Sequence, residues 1–225
     1  MSQKLVLLGA TGFMGKAVKK ILSERKSALK LVSEPGRVSE GDYPSGAVVI
    51  DFSLPHYCLE QIEKHRGTGL FWVVGSTGWT ESEQARLEEI AQSEWILRST
   101  NFSWAVQSLA RVLRELRQTL QPLGFQCSMT EIHHTRKKDA PSGTAKTLAA
   151  EWSPEQAIES IREGDTIGIH EIRLETDSEV LTLRHEAKSR ELFASGAIDT
   201  AERFPSWAQG KNPHGLVELS DVIFS

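Results

Sequence analysis

The sequence predicts a doubly wound α/β domain followed by a second domain with a mostly antiparallel sheet. Over the first 103 residues, short apolar runs that end at glycine or hydroxyl residues alternate with amphipathic helical patterns. This alternation is typical of parallel strands joined by right-handed helical crossovers. Beyond that point, strand patterns follow one another with little helix between them, which favours antiparallel pairing.

Composition places the chain among ordinary globular proteins. Its 225 residues are 39% hydrophobic and 25% charged, enough for one large or two small domains. The net charge of -4 argues against a general nucleic-acid or membrane surface. Cys58 and Cys127 form neither a disulfide framework nor a metal-site spacing, so we expect a reducing cytoplasm. The apolar run at residues 5–8 is too short for a signal peptide or a membrane span.

The chain begins with a predicted buried strand at residues 4–8, which is continuously apolar and ends at a glycine. Gly9, Gly12 and Gly15 follow, and then a helical pattern. Glycines in this position allow a tight turn, close approach of the backbone to a pyrophosphate, and close packing of helix on strand. The Gly-x-x-Gly-x-x-Gly spacing is weak alone, but its place between strand and helix predicts dinucleotide binding.

Cofactor preference is predicted from the end of the second strand, at residues 29–32. Glu34 follows it, about 20 positions after the glycine loop, where an acidic residue usually binds the ribose hydroxyls of NAD and repels a 2′-phosphate. Arg37 is close enough to weaken that preference, although it is at least as readily explained as a solvent-facing loop cation. NADH is therefore favoured as cofactor, and NADPH remains possible.

Three further strands are predicted at residues 47–52, 70–74 and 95–99, with helices after Pro55 and at 81–91. Glycine and hydroxyl residues follow the fourth strand, at the edge where ligands approach a doubly wound sheet.

After Ser103 the pattern changes. We expect a long helix at 104–120, a strand at 125–132 that delivers His133, and a helix at 143–152. Strands are then expected at residues 166–174, 180–187 and 191–194. Their edges could pair with another copy of the chain.

Residues 131–145 are the most informative stretch. Two histidines and three cations occupy six residues shortly before a helix start at 142–144, whose backbone N–H groups would face an anion. His133 or His134 could transfer a proton near neutral pH. Zinc binding by this histidine pair is not expected, because neighbouring strand residues point to opposite faces and no third ligand is near. A solvated basic loop before an ordinary helix is the alternative.

Several segments together carry a family resemblance that spans nearly the whole chain. The most specific is Glu131-Ile132-His133-His134-x-x-Lys137-x-Asp139-Ala140-Pro141-Ser142-Gly143-Thr144-Ala145. The others, in order, are Gly9-x-x-Gly12-x-Met14-Gly15, Asp51-Phe52-Ser53, Gly75-Ser76-Thr77-Gly78-Trp79, Asn101-Phe102-Ser103 and Ser189-Arg190-x-x-Phe193-Ala194-x-Gly196-Ala197. Together they resemble the 4-hydroxy-tetrahydrodipicolinate reductase (dihydrodipicolinate reductase) family of lysine biosynthesis.

The resemblance implies NAD(P)H-dependent reduction of a cyclic dicarboxylate, 4-hydroxy-tetrahydrodipicolinate, in the diaminopimelate route. It implies a Rossmann-like dinucleotide-binding domain at residues 1–103 and 207–225. Residues 104–206 would form a substrate-binding and oligomerisation domain with a mixed sheet.

Residue roles also follow from the resemblance. The catalytic residues would be His133, which transfers a proton, and Lys137. The groups expected to bind substrate are His134, Ser142, Gly143, Thr144 and Arg190. Those expected to bind cofactor are Gly9, Thr11, Gly12, Phe13, Met14, Gly15, Glu34, Phe52, Gly75, Ser76, Thr77, Asn101 and Phe102.

This chain departs from the family pattern in two ways. Phe13 stands where members usually have an arginine near the adenosine phosphate, which further favours NADH. The chain is also shorter than is usual, between Glu34 and Ala47 and between Ser153 and Val180. The resemblance implies a homotetramer. Much of the interface of that tetramer would be formed by the sheet that is shortened in this chain.

Two other functions remain open from the sequence. Another Rossmann-type reductase of amino-acid biosynthesis would need a nucleophilic cysteine or a different lysine arrangement, and Cys127 lies in no recognisable nucleophile context. A non-catalytic dinucleotide-binding regulator would have no need of His133, Lys137 and Arg190 beside an anion site.

Overall fold

A computed structural model describes residues 2–36, 40–213 and 215–225. The chain forms two compact units, one of Met1–Phe102 with Glu191–Ser225 and the other of Ser103–Arg190. It returns to the first unit at Glu191, earlier than the predicted residue 207, because the following helix packs in the core of the first unit. Arg37 lies outside the described residues.

The helices divide between the two units. In chain order they are α1 (Phe13–Glu24), α2 (Pro55–Lys64), α3 (Glu81–Ile90), α4 (Trp104–Leu120), α5 (Gly143–Trp152), α6 (Glu191–Ala208) and α7 (Leu219–Ile223). None of those in the described part of the chain combines the length and apolar character that crossing a membrane requires.

The first unit is a five-stranded parallel sheet with helices on both faces. In spatial order its strands are β2 (Leu29–Ser33), β1 (Gln3–Leu8), β3 (Val48–Asp51), β4 (Phe71–Val74) and β5 (Trp95–Arg98). Leu5 and Leu7 join the core that includes α1 and α6, whereas Val6 and Leu8 join the core that includes α2 and α3. Both faces of β1 are therefore buried, which explains its continuous apolar run. The predicted doubly wound sheet is confirmed.

The second unit contains a four-stranded mixed sheet that shares a hydrophobic core with α4 and α5. Strand β6 (Gln126–His133) pairs in parallel with β7 (Ile158–Arg162) and antiparallel with β8 (Ile169–Glu175). Strand β8 in turn pairs antiparallel with β9 (Val180–Glu186). The predicted mixed, largely antiparallel sheet is confirmed.

Two details of the sequence-based assignment were wrong. Residues 191–194 are the first turn of α6 rather than a strand, because Ala194, Ala197 and Ala201 recur at helical spacing, a pattern that four residues are too few to show. Strand β7 was not anticipated, since its residues lack a clear alternation between buried and exposed positions.

Candidate active site

The glycine loop lies at the carboxyl end of β1 and leads directly into α1. Gly9 has a φ of +74°, and a Cβ there would lie 2.4 Å from the carbonyl oxygen of Phe52. A Cβ on Gly15 would lie 2.2 Å from the carbonyl oxygen of Gly9. Gly12 is the N-cap of α1, and its N–H donates to Gly9 at 2.9 Å. The loop therefore requires glycine at positions 9 and 15. It leads to the positive end of α1, where a phosphate would be stabilised.

The other predicted cofactor residues follow neighbouring parallel strands, so they lie along one edge of the sheet. Phe52 follows β3, residues 75–77 follow β4, and Asn101 and Phe102 follow β5. The rings of Phe52 and Phe102 meet edge to face with centroids 6.0 Å apart. A Cβ on Gly75 would lie 2.3 Å from the Phe52 ring. This carboxyl edge is where doubly wound sheets bind their ligands.

Residues beside the glycine loop differ in exposure. Thr11 and Phe13 are exposed, the latter by 62%, whereas Met14 packs against the core. Glu34 follows β2, the neighbour of β1, and its carboxylate accepts a hydrogen bond from Lys19 of α1 at 2.9 Å. The negative charge predicted to select NADH is thus partly neutralised by a lysine that the sequence alone did not connect to it.

Asp51 was not among the predicted site residues. It is completely buried at the end of β3, and its Oδ1 accepts hydrogen bonds from the N–H and the hydroxyl of Ser53. Burial raises the pKa of Asp51. The carboxyl group closes the turn that presents Phe52. The sequence did contain a signal for Asp51: it is a single acidic residue at the end of an apolar strand. A buried carboxyl group in such a position needs hydrogen-bond partners nearby.

In the second unit, β6 carries the start of residues 131–145, the central motif. Its buried residues lie on the face of the sheet that carries the core. Met129, Glu131 and His133 alternate as its buried residues, so they share that face. His134 comes immediately after the strand and is half-buried. Glu131 itself was not predicted as a site residue. Its place between Met129 and His133, on the buried face of the strand, was a signal that its carboxylate must have a partner.

Glu131 is bound by groups from two other elements. Its Oε1 accepts a hydrogen bond from Arg162 of β7 at 2.9 Å, and the N–H of Ser142 lies 3.0 and 3.1 Å from its two oxygens. His133 Nδ1 lies 3.3 Å from Oε2. Burial alone would raise the pKa of Glu131, but the hydrogen bonds from Ser142 and Arg162 outweigh it and hold the pKa below its usual value. The buried group is therefore a carboxylate.

Ser142 is placed differently from the expectation that its N–H would face an anionic ligand. The N–H donates to Glu131, and the hydroxyl caps α5 by accepting from Ala145 at 3.2 Å and lies 3.4 Å from His170 Nε2. The N–H of Ser142, which could otherwise face a ligand at the start of α5, therefore donates to the buried carboxylate of Glu131. Gly143 is exposed and Thr144 is half-buried in the first turn of α5.

His133 stands among charged and titratable neighbours. Burial lowers its pKa, the charge of Glu131 opposes this, and Lys137 lowers the pKa further. The ring of His170, a residue that the sequence did not single out, meets His133 edge-on with centroids 5.3 Å apart. Burial lowers the pKa of His170 to about 4. A Cβ on Gly168 would lie 3.0 Å from His133 Nε2.

The remaining predicted residues form two polar pairs. Lys137 Nζ donates to Asp139 at 2.8 Å, and Arg190 Nη2 lies 2.8 Å from His134 Nε2. Burial and the charge of Arg190 lower the pKa of His134. Arg190, distant in sequence, thus lies beside His134 of the motif.

One cluster resembles a metal-binding set. Glu131, His133 and His170 each bring a ligand atom to within 4.8 Å of the others. Arg162 already occupies the carboxylate at 2.9 Å and would repel a second cation there. The arrangement is that of an ion-paired network rather than a metal site.

Comparison with known proteins decides the family. A model described as dihydrodipicolinate reductase, N-terminus, matches residues 3–102, and one described as dihydrodipicolinate reductase, C-terminus, matches residues 105–223. The chain belongs to the dihydrodipicolinate reductase family. The resemblance seen in the sequence motifs is confirmed.

Relatives of the dihydrodipicolinate reductase family match over the full chain. The 4-hydroxy-tetrahydrodipicolinate reductase of Desulfovibrio desulfuricans is 30% identical over 99% of this chain and 100% of the relative. That of Stenotrophomonas maltophilia is 34% identical over 98% and 97%. The former alignment extends over 264 positions against 225 residues here, so this family member is shorter, as expected.

A solved structure shares the fold. Dihydrodipicolinate reductase from Paenisporosarcina sp. TG-14, determined with bound dipicolinate, superposes with a TM-score of 0.72 at 18% identity, covering 99% of this chain and all of that one.

Proposed function

We propose that this chain reduces 4-hydroxy-tetrahydrodipicolinate to tetrahydrodipicolinate with NADH or NADPH, in the diaminopimelate route of lysine biosynthesis. One observation supports this function above others: reductases of that name match the chain from end to end. The motif residues His133 and Lys137 are also present, and the charge of the lysine acts on the histidine.

The first unit would hold the cofactor. Gly9 and Gly15 leave a cradle that a Cβ would fill, and it opens at the N-terminus of α1, which suits a pyrophosphate. Glu34 would bind the adenosine ribose, and Phe52, residues 75–77 and Asn101 would line the edge toward the nicotinamide. When bound, the reduced nicotinamide supplies a hydride. The cofactor is not distinguished by family membership, and NADH is our choice because Glu34 is acidic and Phe13 is uncharged.

The second unit would hold the substrate dicarboxylate. Arg190 and His134 lie 2.8 Å apart and would offer one carboxylate a cation and a second donor. Gly143 and Thr144 would present the positive end of α5 to the other. Ser142 would contribute by capping α5 rather than through its N–H, which Glu131 occupies.

Proton transfer would fall to His133. Loss of the 4-hydroxyl group of the substrate as water would leave a conjugated, unsaturated ring. Once hydride has added to that ring, a neighbouring ring atom would carry the electron pair and accept a proton from the His133 imidazolium. Lys137 would stabilise the negative charge that develops there. His133 returns to neutral imidazole and regains its proton from solvent.

The primary test supplies the condensation product of pyruvate and aspartate semialdehyde and follows nicotinamide absorbance. Oxidation by the wild-type protein is expected, and its absence would refute the function. His133→Ala should lower kcat with the dissociation constant for NADH unchanged. Lys137→Ala should lower kcat strongly, whereas the matched control Lys138→Ala, at an exposed neighbour, should not. Arg190→Ala should raise mainly KM.

Cofactor choice has its own measurement. We expect a higher kcat/KM with NADH than with NADPH, and Glu34→Gln should narrow the ratio by removing a charge that repels a 2′-phosphate. Because Lys19 already pairs with Glu34, the wild-type preference should be modest. Equal or reversed values in the wild type would contradict the assignment.

We also propose a cytoplasmic homo-oligomer. Cys58 and Cys127 are both free thiols, which suits a reducing compartment. Val180 and Leu181 of β9 are 46% and 37% exposed, and a partner chain would cover them. Light scattering after size-exclusion chromatography tests this, and a monomer at micromolar concentration would contradict it.

A further inference from the structure

Glu131 is a charged group whose burial needs an explanation beyond folding. Its side chain has no exposed surface, and it lies two residues before His133 on the same face of β6. Burial of a carboxylate is strongly unfavourable unless the group is paired. Arg162 and the N–H of Ser142 supply that pairing, from β7 and from the start of α5.

These partners fix the direction of the carboxylate. Oε1 is held by Arg162 at 2.9 Å, which leaves Oε2 facing His133 Nδ1 at 3.3 Å. Within the described residues, that buried nitrogen makes no hydrogen bond, so its contact with Oε2 is one of ion-pair distance only. Oε2 of Glu131 is the acceptor that we assign to an N–H on Nδ1.

The other ring nitrogen has a different neighbour. A Cβ on Gly168 would lie 3.0 Å from His133 Nε2 and 3.3 Å from Cδ2 of the same ring. Glycine places no side chain against that nitrogen, whereas a Cβ would press on it. The two nitrogens are thus distinguished, with a carboxylate beside Nδ1 and the side-chain-free backbone of Gly168 beside Nε2.

We propose that Glu131 is the positioning residue of His133, holding the proton on Nδ1 so that proton transfer takes place at Nε2, with Gly168 keeping Nε2 accessible. This inference rests on the proposed reductase function. The carboxylate orients the ring and stabilises the imidazolium form, as carboxylates do for catalytic and metal-binding histidines elsewhere. The Nε2–H bond breaks as the bond from that proton to the substrate ring atom forms, and the other proton stays on Nδ1, beside Glu131.

The charged groups around His133 together determine the direction in which its pKa shifts. Glu131 and Asp139 raise the pKa of His133, whereas burial, Lys137 and Arg162 lower it. The nearby His170 is a further titratable neighbour across β8. Replacing Glu131 with an uncharged residue removes the main opposing influence, so the pKa should fall.

The test is Glu131→Gln, compared with Glu171→Gln, a partly exposed carboxylate on the neighbouring strand. The pKa of His133 is measured by NMR of labelled histidine in protein without substrate, and kcat is measured against pH. In Glu131→Gln we expect the pKa to fall by about one unit and kcat at neutral pH to fall about 10- to 100-fold at near-constant KM. Glu171→Gln should match the wild type.

The outcomes separate the two proposals. If the wild type fails to oxidise cofactor, the function is refuted, yet the NMR titration still tests the link between Glu131 and His133. A folded Glu131→Gln protein with unchanged pKa and pH profile overturns the positioning role. If that variant does not fold because Arg162 is left unpaired, Glu131→Gln/Arg162→Gln removes both charges and is tested in the same way. Gly168→Ala should lower kcat with the pKa of His133 nearly unchanged, and wild-type kcat would overturn the Nε2 assignment.

Discussion

His170 should make the protein sensitive to acid. It lies on β8 opposite Glu131, is buried, and has a pKa lowered to about 4 from an ordinary value of 6.5, first by burial and then by His133. The unfolded chain therefore binds a proton between pH 6.5 and 4 that the folded chain does not. Stability conferred by this group is complete above pH 6.5 and is lost as pH falls through that window.

The magnitude follows from the pKa difference. One pH unit corresponds to about 1.4 kcal/mol, so the full difference is worth about 3 kcal/mol. At pH 4.5, slightly above the folded pKa, the loss from His170 should be about 2.5 kcal/mol relative to pH 7.5. This is a large fraction of the net stability of a typical domain.

The substitution His170→Gln keeps a group that can hydrogen-bond to Ser142 but does not titrate. Urea unfolding followed by circular dichroism at pH 7.5, 6.5, 5.5 and 4.5 gives the free energy of unfolding for wild type and variant. We expect the variant to lose about 2.5 kcal/mol less than wild type between pH 7.5 and 4.5. The exposed His56→Gln is the control and should behave as wild type. Equal pH dependence in His170→Gln and wild type would refute the reasoning.

Two further predictions concern stability. Gly196→Ala should destabilise the first unit by about 3 kcal/mol, because a Cβ would lie 1.8 Å from the backbone oxygen of Phe102. Gly36→Ala, whose new Cβ would have no atom of the described residues within 4 Å, should change stability by no more than about 0.5 kcal/mol. Thermal unfolding compares the two variants. Arg114→Gln breaks an ion pair with Glu151 on α5, but the arginine is 59% exposed. Urea unfolding should therefore show a loss of at most about 1 kcal/mol in the free energy of unfolding, and this loss should shrink in high salt. A loss above about 2 kcal/mol that does not depend on salt would contradict this.

Much of the first unit could be predicted because its signals are local. The run at β1 is apolar on both faces, and glycine is needed at positions 9 and 15 because a Cβ at either would lie 2.2–2.4 Å from a backbone oxygen. The strand, loop and helix of each β–α repeat are recognisable from adjacent stretches of sequence. Because crossovers between parallel strands are right-handed, few topologies then remain. The carboxyl-edge position of the predicted cofactor residues follows from that topology.

The second unit was predicted less completely, because its decisive contacts are distant in sequence. Strand β7 has no clear alternation, so Arg162 could not be connected with Glu131 across 31 residues. The N–H of Ser142 was expected to face a ligand, but a buried carboxylate on another strand takes it. Neither partner can be inferred from a local window of sequence.

The sequence by itself determined the fold class, the family, and the identity of the histidines, lysine and arginine of the central motif, because these depend on local pattern and residue type. Only the tertiary structure decided which groups meet: Lys19 with Glu34, Arg190 with His134, and Glu131 with His133. The physical reason is that burial makes an isolated charge too costly, so folding must bring it a partner from wherever in the chain one is available.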